Sequence, residues 1–178
     1  IYMPSIRKDL INSWKISSDT SNIIADLSKA KTLISVSENG YDKKFMDEYN
    51  LHNVFIPHSI NPIATEFDFK KKYNLIRKHL LLCVANFWPI KNQSNLIKSF
   101  INEPGDFDIV IIGNKILGKE EFFDYCTELA RYDDRITIIP GLSPEEVNQA
   151  IKEADLLLIP SLGESAGPLV LLQAMHYK

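Results

Sequence analysis

The chain has 178 residues, of which 45% are hydrophobic, 10% aromatic and 24% charged, a make-up that excludes long disorder. Twenty basic residues against 23 acidic ones leave a formal charge of −3, which excludes a bulk basic surface for nucleic acid or an anionic membrane. Two cysteines, Cys83 and Cys126, exclude a disulfide scaffold and are too few to make a zinc site by themselves.

In chain order, residues 1–72 are mixed and polar. Within them 23–31 reads as a helix, 32–37 as a strand, 41–49 as a helix and 54–56 as a short strand ahead of Pro57. These are too few strands for an independent domain, so 1–59 reads as the tail of a preceding domain with an interdomain segment. Residues 60–78 combine weak periodicity, one proline and a lysine cluster, the marks of a linker. From 79 to 178 short apolar runs alternate with amphipathic ones. Strands are expected at 80–85, 107–112, 136–139 and 155–159, each nearly continuously apolar, as a parallel strand covered on both faces must be. Between them Leu96, Ile97, Phe100 and Ile101 share a helix face, as do Phe122, Phe123, Cys126, Leu129 and Ala130. Residues 143–154 carry the clearest helix. Ser143 caps it, Pro144 takes the first helical position and Glu146 completes a capping box. Val147, Ala150, Ile151 and Ala154 form its buried stripe. Strands alternating with helices make β-α-β units, so the fold class is α/β, a doubly wound, Rossmann-like parallel sheet truncated at its C-terminus.

In an open α/β sheet, ligands bind beyond the carboxyl ends of the strands. Residues 86–93 (NFWPIKNQ) follow the first strand, Gly113-Asn114-Lys115 the second, Pro140-Gly141-Leu142 the third and 160–168 (PSLGESAGP) the fourth. Lysine and free helix N–H groups hold phosphate, and a carboxylate accepts hydrogen bonds from sugar hydroxyls, so these loops suit an anionic, hydroxyl-bearing ligand.

The order of these motifs resembles the retaining glycosyltransferases of family 4 (glycosyl transferases group 1), which have two Rossmann-like domains in the B-type fold. LISVSENGYDKKF is similar to the last strand and helix of their acceptor domain, and VFIPHSIN to their interdomain segment. LLCVANFWPIKNQSNLIKSF is similar to the first strand and phosphate loop of their donor domain. DIVIIGN, RITIIPGLSPEEV and ADLLLIPSLGESAGPLVLLQAM follow in the family's order. The resemblance implies that Lys91 contacts the donor diphosphate. Asn86 occupies the frequent arginine position, with Trp88 where some relatives place it instead. Glu164 matches the glutamate that meets the donor sugar, and Gln173 the one that meets the ribose. It further implies donor contacts from Gly113 and Gly141 and diphosphate contacts at the helix start near Gly167; no cofactor is expected, and no metal, since Glu164 is the single acidic residue in the strand-end loops. Lys91 and Glu164 would take the catalytic roles.

Each residue also has a plain structural reading. Lys91 is then a solvated lysine, Glu164 an exposed loop carboxylate, Gly113 and Gly141 turn glycines, and Gln173 a helix-surface residue. Asp106-Phe107-Asp108 has the form of a D-x-D metal motif but precedes its strand, at the wrong edge of the sheet. His58 follows Pro57 and reads as structural, with lining of the interdomain cleft as its alternative; His52, His79 and His176 lack metal-ligand spacing, and neither a Ser-His-Asp order nor a nucleotide P-loop appears. Phe87 and Trp88 have the form of an aromatic platform but no basic groove around them.

The functional expectation is the donor-binding part of a glycosyltransferase. It transfers a sugar from a nucleotide-diphosphate sugar to an acceptor hydroxyl with retention, in glycan biosynthesis, and this piece alone is inactive. Its alternatives are a non-catalytic nucleotide- or sugar-phosphate-binding module and a protein-interaction scaffold. No apolar run approaches the ~20 residues of a membrane span. The chain opens at Ile1 without a signal-peptide pattern and closes after a helix-like run, so both ends read as cuts. The expected setting is cytoplasmic, with at most peripheral membrane association, a donor nucleotide sugar as partner and no nucleic acid.

Overall fold

The computed structural model describes residues 20–60, 66–164 and 167–177. Expectations falling on 1–19, 61–65 and Lys178 lie outside the described residues. The chain divides into two compact units, one of 1–59 with 164–168, the other of 60–163 with 169–178.

The first unit holds α1 (Thr20–Leu27), β1 (Leu33–Ser35), α2 (Tyr41–Glu48) and β2 (Asn53–Phe55). The two strands pair in parallel, Leu33 opposite Asn53. Leu33, Phe45, Met46 and Leu51 form its core, with Ile24 and Leu27 packed against it. Helix α1 ends four residues earlier than its apolar pattern suggests, in turns that include Ala30 N–H to Leu27 O.

The second unit is the doubly wound sheet. Its strands β3 (His79–Val84), β4 (Phe107–Ile112), β5 (Ile136–Ile139) and β6 (Leu156–Leu157) lie in the order β5-β4-β3-β6, all parallel. Side chains alternate between faces along a strand. Leu80, Leu82, Val110 and Ile112 meet α6 (Pro144–Glu153) and Val170 of α7 (Leu169–Tyr177) on one face. Leu81, Cys83, Ile109 and Ile111 meet α4 (Gln93–Phe100) and α5 (Glu120–Ala130) on the other. Helix α6 forms as its sequence dictates, Ser143 Oγ accepting from Glu146 N and the Glu146 carboxylate accepting from Ser143 N. β6 is shorter than the expected 155–159. Its last ladder bond runs from Leu158 N–H to Leu82 O, and Pro160 has no N–H to continue.

The stretch expected to be a linker is, in its described part, built into this unit. It forms α3 (Phe69–Lys72), whose Phe69 is fully buried beside Leu75 in the core. Asp68 caps α3 by accepting from Lys71 N, and Glu153 of α6 accepts from Phe69 N (2.8 Å) and Lys70 N (3.0 Å). A four-residue helix held by a carboxylate so distant in the chain leaves no periodicity to read.

Asp108, in the D-x-D-like triplet, is structural. It is buried and accepts from the Arg77 backbone N and Nη1, each at 2.9 Å. At the start of β5 the Arg135 guanidinium clasps Asp133, with Nη2 2.6 Å from Oδ2. It also donates to the carbonyls of Glu103 and Phe100 and lies 4.6 Å over the Phe107 ring. This clasp holds the Asp133 carboxyl down to about 2. Because the folded value is depressed, its contribution is full above the unfolded value near ~4 and is lost as pH falls through it toward ~2. Discounted for screening, the contribution is about 1–2 kcal/mol. Asp133→Asn should remove it, lowering stability at pH 7 and flattening the decline of urea-unfolding stability between pH 4 and pH 2. An unchanged acid limb would show that the clasp contributes nothing.

Candidate functional site

The chain runs outward from β3 through β4 to β5, then returns to place β6 on the other side of β3. That reversal makes a crevice at the carboxyl ends of β3 and β6. The loop leaving β3 lies there. Phe87 N–H bonds Asn114 O, and Phe87 pairs with Lys115 in an isolated parallel bridge. Phe87 is thereby buried against Phe123, their rings edge to face at 4.8 Å, while Trp88, next along an extended backbone, is 41% exposed. A 3-10 turn, Pro89–Lys91, follows. It is tied to the loop after β6 by Leu162 N–H to Ile90 O (2.9 Å) and Asn92 Nδ2 to Pro160 O (3.1 Å). Asn92 holds the left-handed conformation (φ 60°) that lets the 3-10 turn pass directly into α4.

A cavity of about 270 Å³ opens at the ends of β3, β4 and β5. Val84, Ala85 and Asn86 form one wall, Ile112, Gly113 and Asn114 the next, and Gly141, Leu142 and Val147 the third. The structure thus brings together Asn86, Gly113 and Gly141, all expected at a site. Lys91, Glu164, Gly167 and Gln173 do not line this cavity.

Each expected residue has a definite place. Asn86 Oδ1 accepts from Asn114 N at 3.2 Å, so its side chain joins two walls. Gly113 is required by packing, since a Cβ there would lie 2.0 Å from the Ala85 carbonyl oxygen. Gly141 has φ +72°, with ordinary space around a Cβ, the nearest atom being Asn114 Oδ1 at 3.8 Å. Lys91 closes the 3-10 turn, its N–H bonding Trp88 O at 2.7 Å. Gln173 lies on α7 and donates from Nε2 to Asn148 Oδ1 of α6 at 3.1 Å. Glu164 and Gly167 are exposed and belong to the first compact unit. Gly167 has φ +66°, and among the described residues nothing lies within 4 Å of a Cβ built on it.

The sequence reading placed Asn114, Leu142 and Gln93 in strand-end loops and Val147 on a buried helix stripe, without singling any of them out as a site residue. Gln93 is wholly buried and bonds the carbonyls of Ala85 and Asn86. A signal existed: Gln93 stands three and four residues before Leu96 and Ile97, a polar residue on an apolar helix stripe. Cys83, under the loop, is pushed up to about 12 by burial, which makes it an inert thiol and not a nucleophile. Among the described residues no three His, Cys, Asp or Glu side chains come together to hold a metal ion, and no helix is long and apolar enough to cross a membrane.

The profile of the family described as Glycosyl transferases group 1 matches residues 65–178. No curated protein sequence matches the chain. Among solved structures, HepE of Anabaena in complex with UDP-glucose superposes with a TM-score of 0.79 at 14% identity, over 99% of this chain and 50% of that one. Sucrose-phosphate synthase from Thermosynechococcus elongatus gives 0.70 at 18% identity, over 99% and 47%. A glycosyltransferase from Rickettsia africae gives 0.69 at 15%, over 98% and 47%. The chain therefore spans about half the length of these structures, and the likeness is one of fold.

The two cavity glycines should separate by substitution. Gly113→Ala forces the Ala85 wall to move, an overpacking cost of about 1–3 kcal/mol, and should close the cavity to ligand. Gly141→Ala meets only the strain of a positive φ, about 1 kcal/mol. Urea unfolding of both variants, with ligand titration, checks this; equal effects would show that the Ala85 contact is not the controlling one.

Proposed function

We propose, from the premise that the chain belongs to the family Glycosyl transferases group 1, that it is the donor-binding part of a retaining sugar transferase. The full enzyme moves a sugar from a nucleotide-diphosphate sugar to an acceptor hydroxyl in glycan biosynthesis. These 178 residues bind the donor without turning it over. One observation carries the reading. A cavity walled by Asn86, Gly113 and Gly141 opens at the carboxyl edge of a doubly wound sheet, and the chain that forms its Asn86 wall runs on into the turn that carries Lys91. Its volume of about 270 Å³ falls just below the ~300–1,000 Å³ of whole small-ligand sites, so it suits one moiety of the donor, the nucleoside.

In this reading Lys91 meets the diphosphate, and backbone N–H groups near Gly167 give it further contacts. Negative charge grows on the leaving diphosphate in the transition state, and a fixed ammonium stabilises it there without reorganisation. Glu164 accepts hydrogen bonds from the transferred sugar. Gln173, its Nε2 engaged by Asn148, offers Oε1 to the ribose. Cationic and backbone groups supply the phosphate contacts, so binding should survive excess chelator. The free, buried cysteines suit a cytoplasmic protein, peripheral to a membrane at most. A nucleotide-binding module without transfer chemistry is favoured by one observation: Asn86 and Gln173 both use polar atoms on internal partners. Sugar transfer or donor hydrolysis by the full-length enzyme separates the two.

Calorimetry with nucleoside diphosphates and their sugars tests the roles. Lys91→Ala should weaken both ligand classes roughly 10- to 150-fold, the range of a charge-assisted contact to phosphate. Glu164→Gln should weaken the nucleotide sugar by about 1–2 kcal/mol relative to the bare diphosphate, whose binding should hold level or improve slightly. Normal binding by Lys91→Ala would misplace the phosphate site. Equal losses in Glu164→Gln would put that carboxylate on the nucleotide or in the fold.

A further inference from the structure

Gln93 is the first residue of α4 and has 0% of its surface exposed. Its Nε2 donates to two consecutive carbonyls, Ala85 at 3.2 Å and Asn86 at 3.0 Å. Consecutive carbonyls of an extended strand point to opposite edges, so one amide reaching both marks the place where the backbone turns away from the ladder. Ala85 N–H still bonds Ile112 O, as the last rung with β4. Beyond it the chain turns over the carboxyl edge and becomes a wall of the cavity.

The Gln93 Oε1 is buried and has no hydrogen-bond partner among the described residues. Burying an unsatisfied acceptor is unfavourable, and methionine at this place would avoid it with the same length and an apolar surface. What glutamine adds is its Nε2. That group clamps Ala85 and Asn86, which line the cavity, from a residue only two places after Lys91. Asn92, between them, anchors the same turn to Pro160 O.

We propose that Gln93 is a positioning residue that keeps the cavity wall in register with the Lys91 turn, so that one rigid piece meets both ends of a nucleoside diphosphate. This rests on the donor-binding reading given above. Gln93 touches no ligand. Its effect is on the spacing between two subsites, and it acts on a ligand that bridges them. A bridging ligand gains from the second contact only where the spacing fits, whereas separate fragments place no demand on spacing.

The test titrates the whole chain and Gln93→Met with uridine, guanosine and adenosine diphosphates, with the three nucleosides and with pyrophosphate. Calorimetry or ligand-observed NMR gives the affinities, and thermal unfolding is followed in parallel. Gln93→Met should weaken the best nucleoside diphosphate roughly tenfold or more, while its nucleoside and pyrophosphate each change less than about threefold. Gln93→Glu is the second variant. Its carboxyl donates one bond when protonated and none when ionised, so its loss relative to the native chain should grow as pH rises from 5.5 to 8. This comparison stands if the methionine variant fails to fold. Equal weakening of all probes, or none, would overturn the inference and leave Gln93 a packing residue. A native chain that binds no nucleoside diphosphate would instead overturn the donor-binding reading on which the inference rests.

Discussion

The carbonyl oxygen of Ala85 occupies the space that a side chain at residue 113 would need. That contact lets the ends of β3 and β4 close together at a register running from His79 opposite Phe107 to Val84 opposite Ile112. A slip by one residue would exchange the two faces of the strand, moving Leu80 and Leu82 from the α6 face to the α4 face. With the register held, Asn86 reaches Asn114, Phe87 reaches its buried place against Phe123, and the chain beyond is delivered to the crevice.

The two ends of the sheet use different chemistry. At the amino ends, carboxylates hold backbone and guanidinium groups: Asp108 with Arg77, Asp133 with Arg135, and Asp155 accepting from Leu80 N at 2.8 Å. Those bonds hold Asp133 and Asp155 below the usual carboxylate range, Asp155 chiefly through the Leu80 N–H. At the carboxyl ends the walls are glycine, alanine, asparagine and aliphatic residues, shaped by backbone bonds and one buried amide. Acidic groups are thus engaged in fastening the edge away from the cavity. The edge that faces it is left without a carboxylate among its lining residues, as suits an anionic ligand.

Much of the second unit was legible because its signals are local. Continuous apolar runs marked β3, β4 and β5 to within a residue, and Ser143, Pro144 and Glu146 marked the start of α6. What was not legible depends on partners far along the chain. Helix α3 exists through Glu153, and β6 ends where Pro160 interrupts the ladder with β3. The same division holds at the site. Asn86, Gly113 and Gly141, singled out by strand-end position together with the resemblance, line one cavity. The use of the Asn86 side chain as a strut to Asn114, and of Gln93 as a clamp, follows from geometry that spacing does not encode. Gly113 shows the limit of motif reasoning: its identity is fully accounted for by the Ala85 contact, whether or not a ligand is near it.

The strand order has a consequence for how the chain is made. Leu81 pairs with Leu156 and Leu82 with Leu157, joining the first and the last of this sheet's described strands. During synthesis β3, β4 and β5 emerge in turn and can pair as they come, each with its helix. β3 meanwhile keeps one hydrogen-bonding edge open, flanked by apolar faces, until β6 leaves the ribosome. Such late, long-range closure is slow, and an unpaired apolar edge invites association with other nascent chains. Helix α3 waits equally long for Glu153. Among the described strands the pairing of β3 with β6 therefore forms after the others, and a truncation before residue 156 would leave the edge of β3 without this partner.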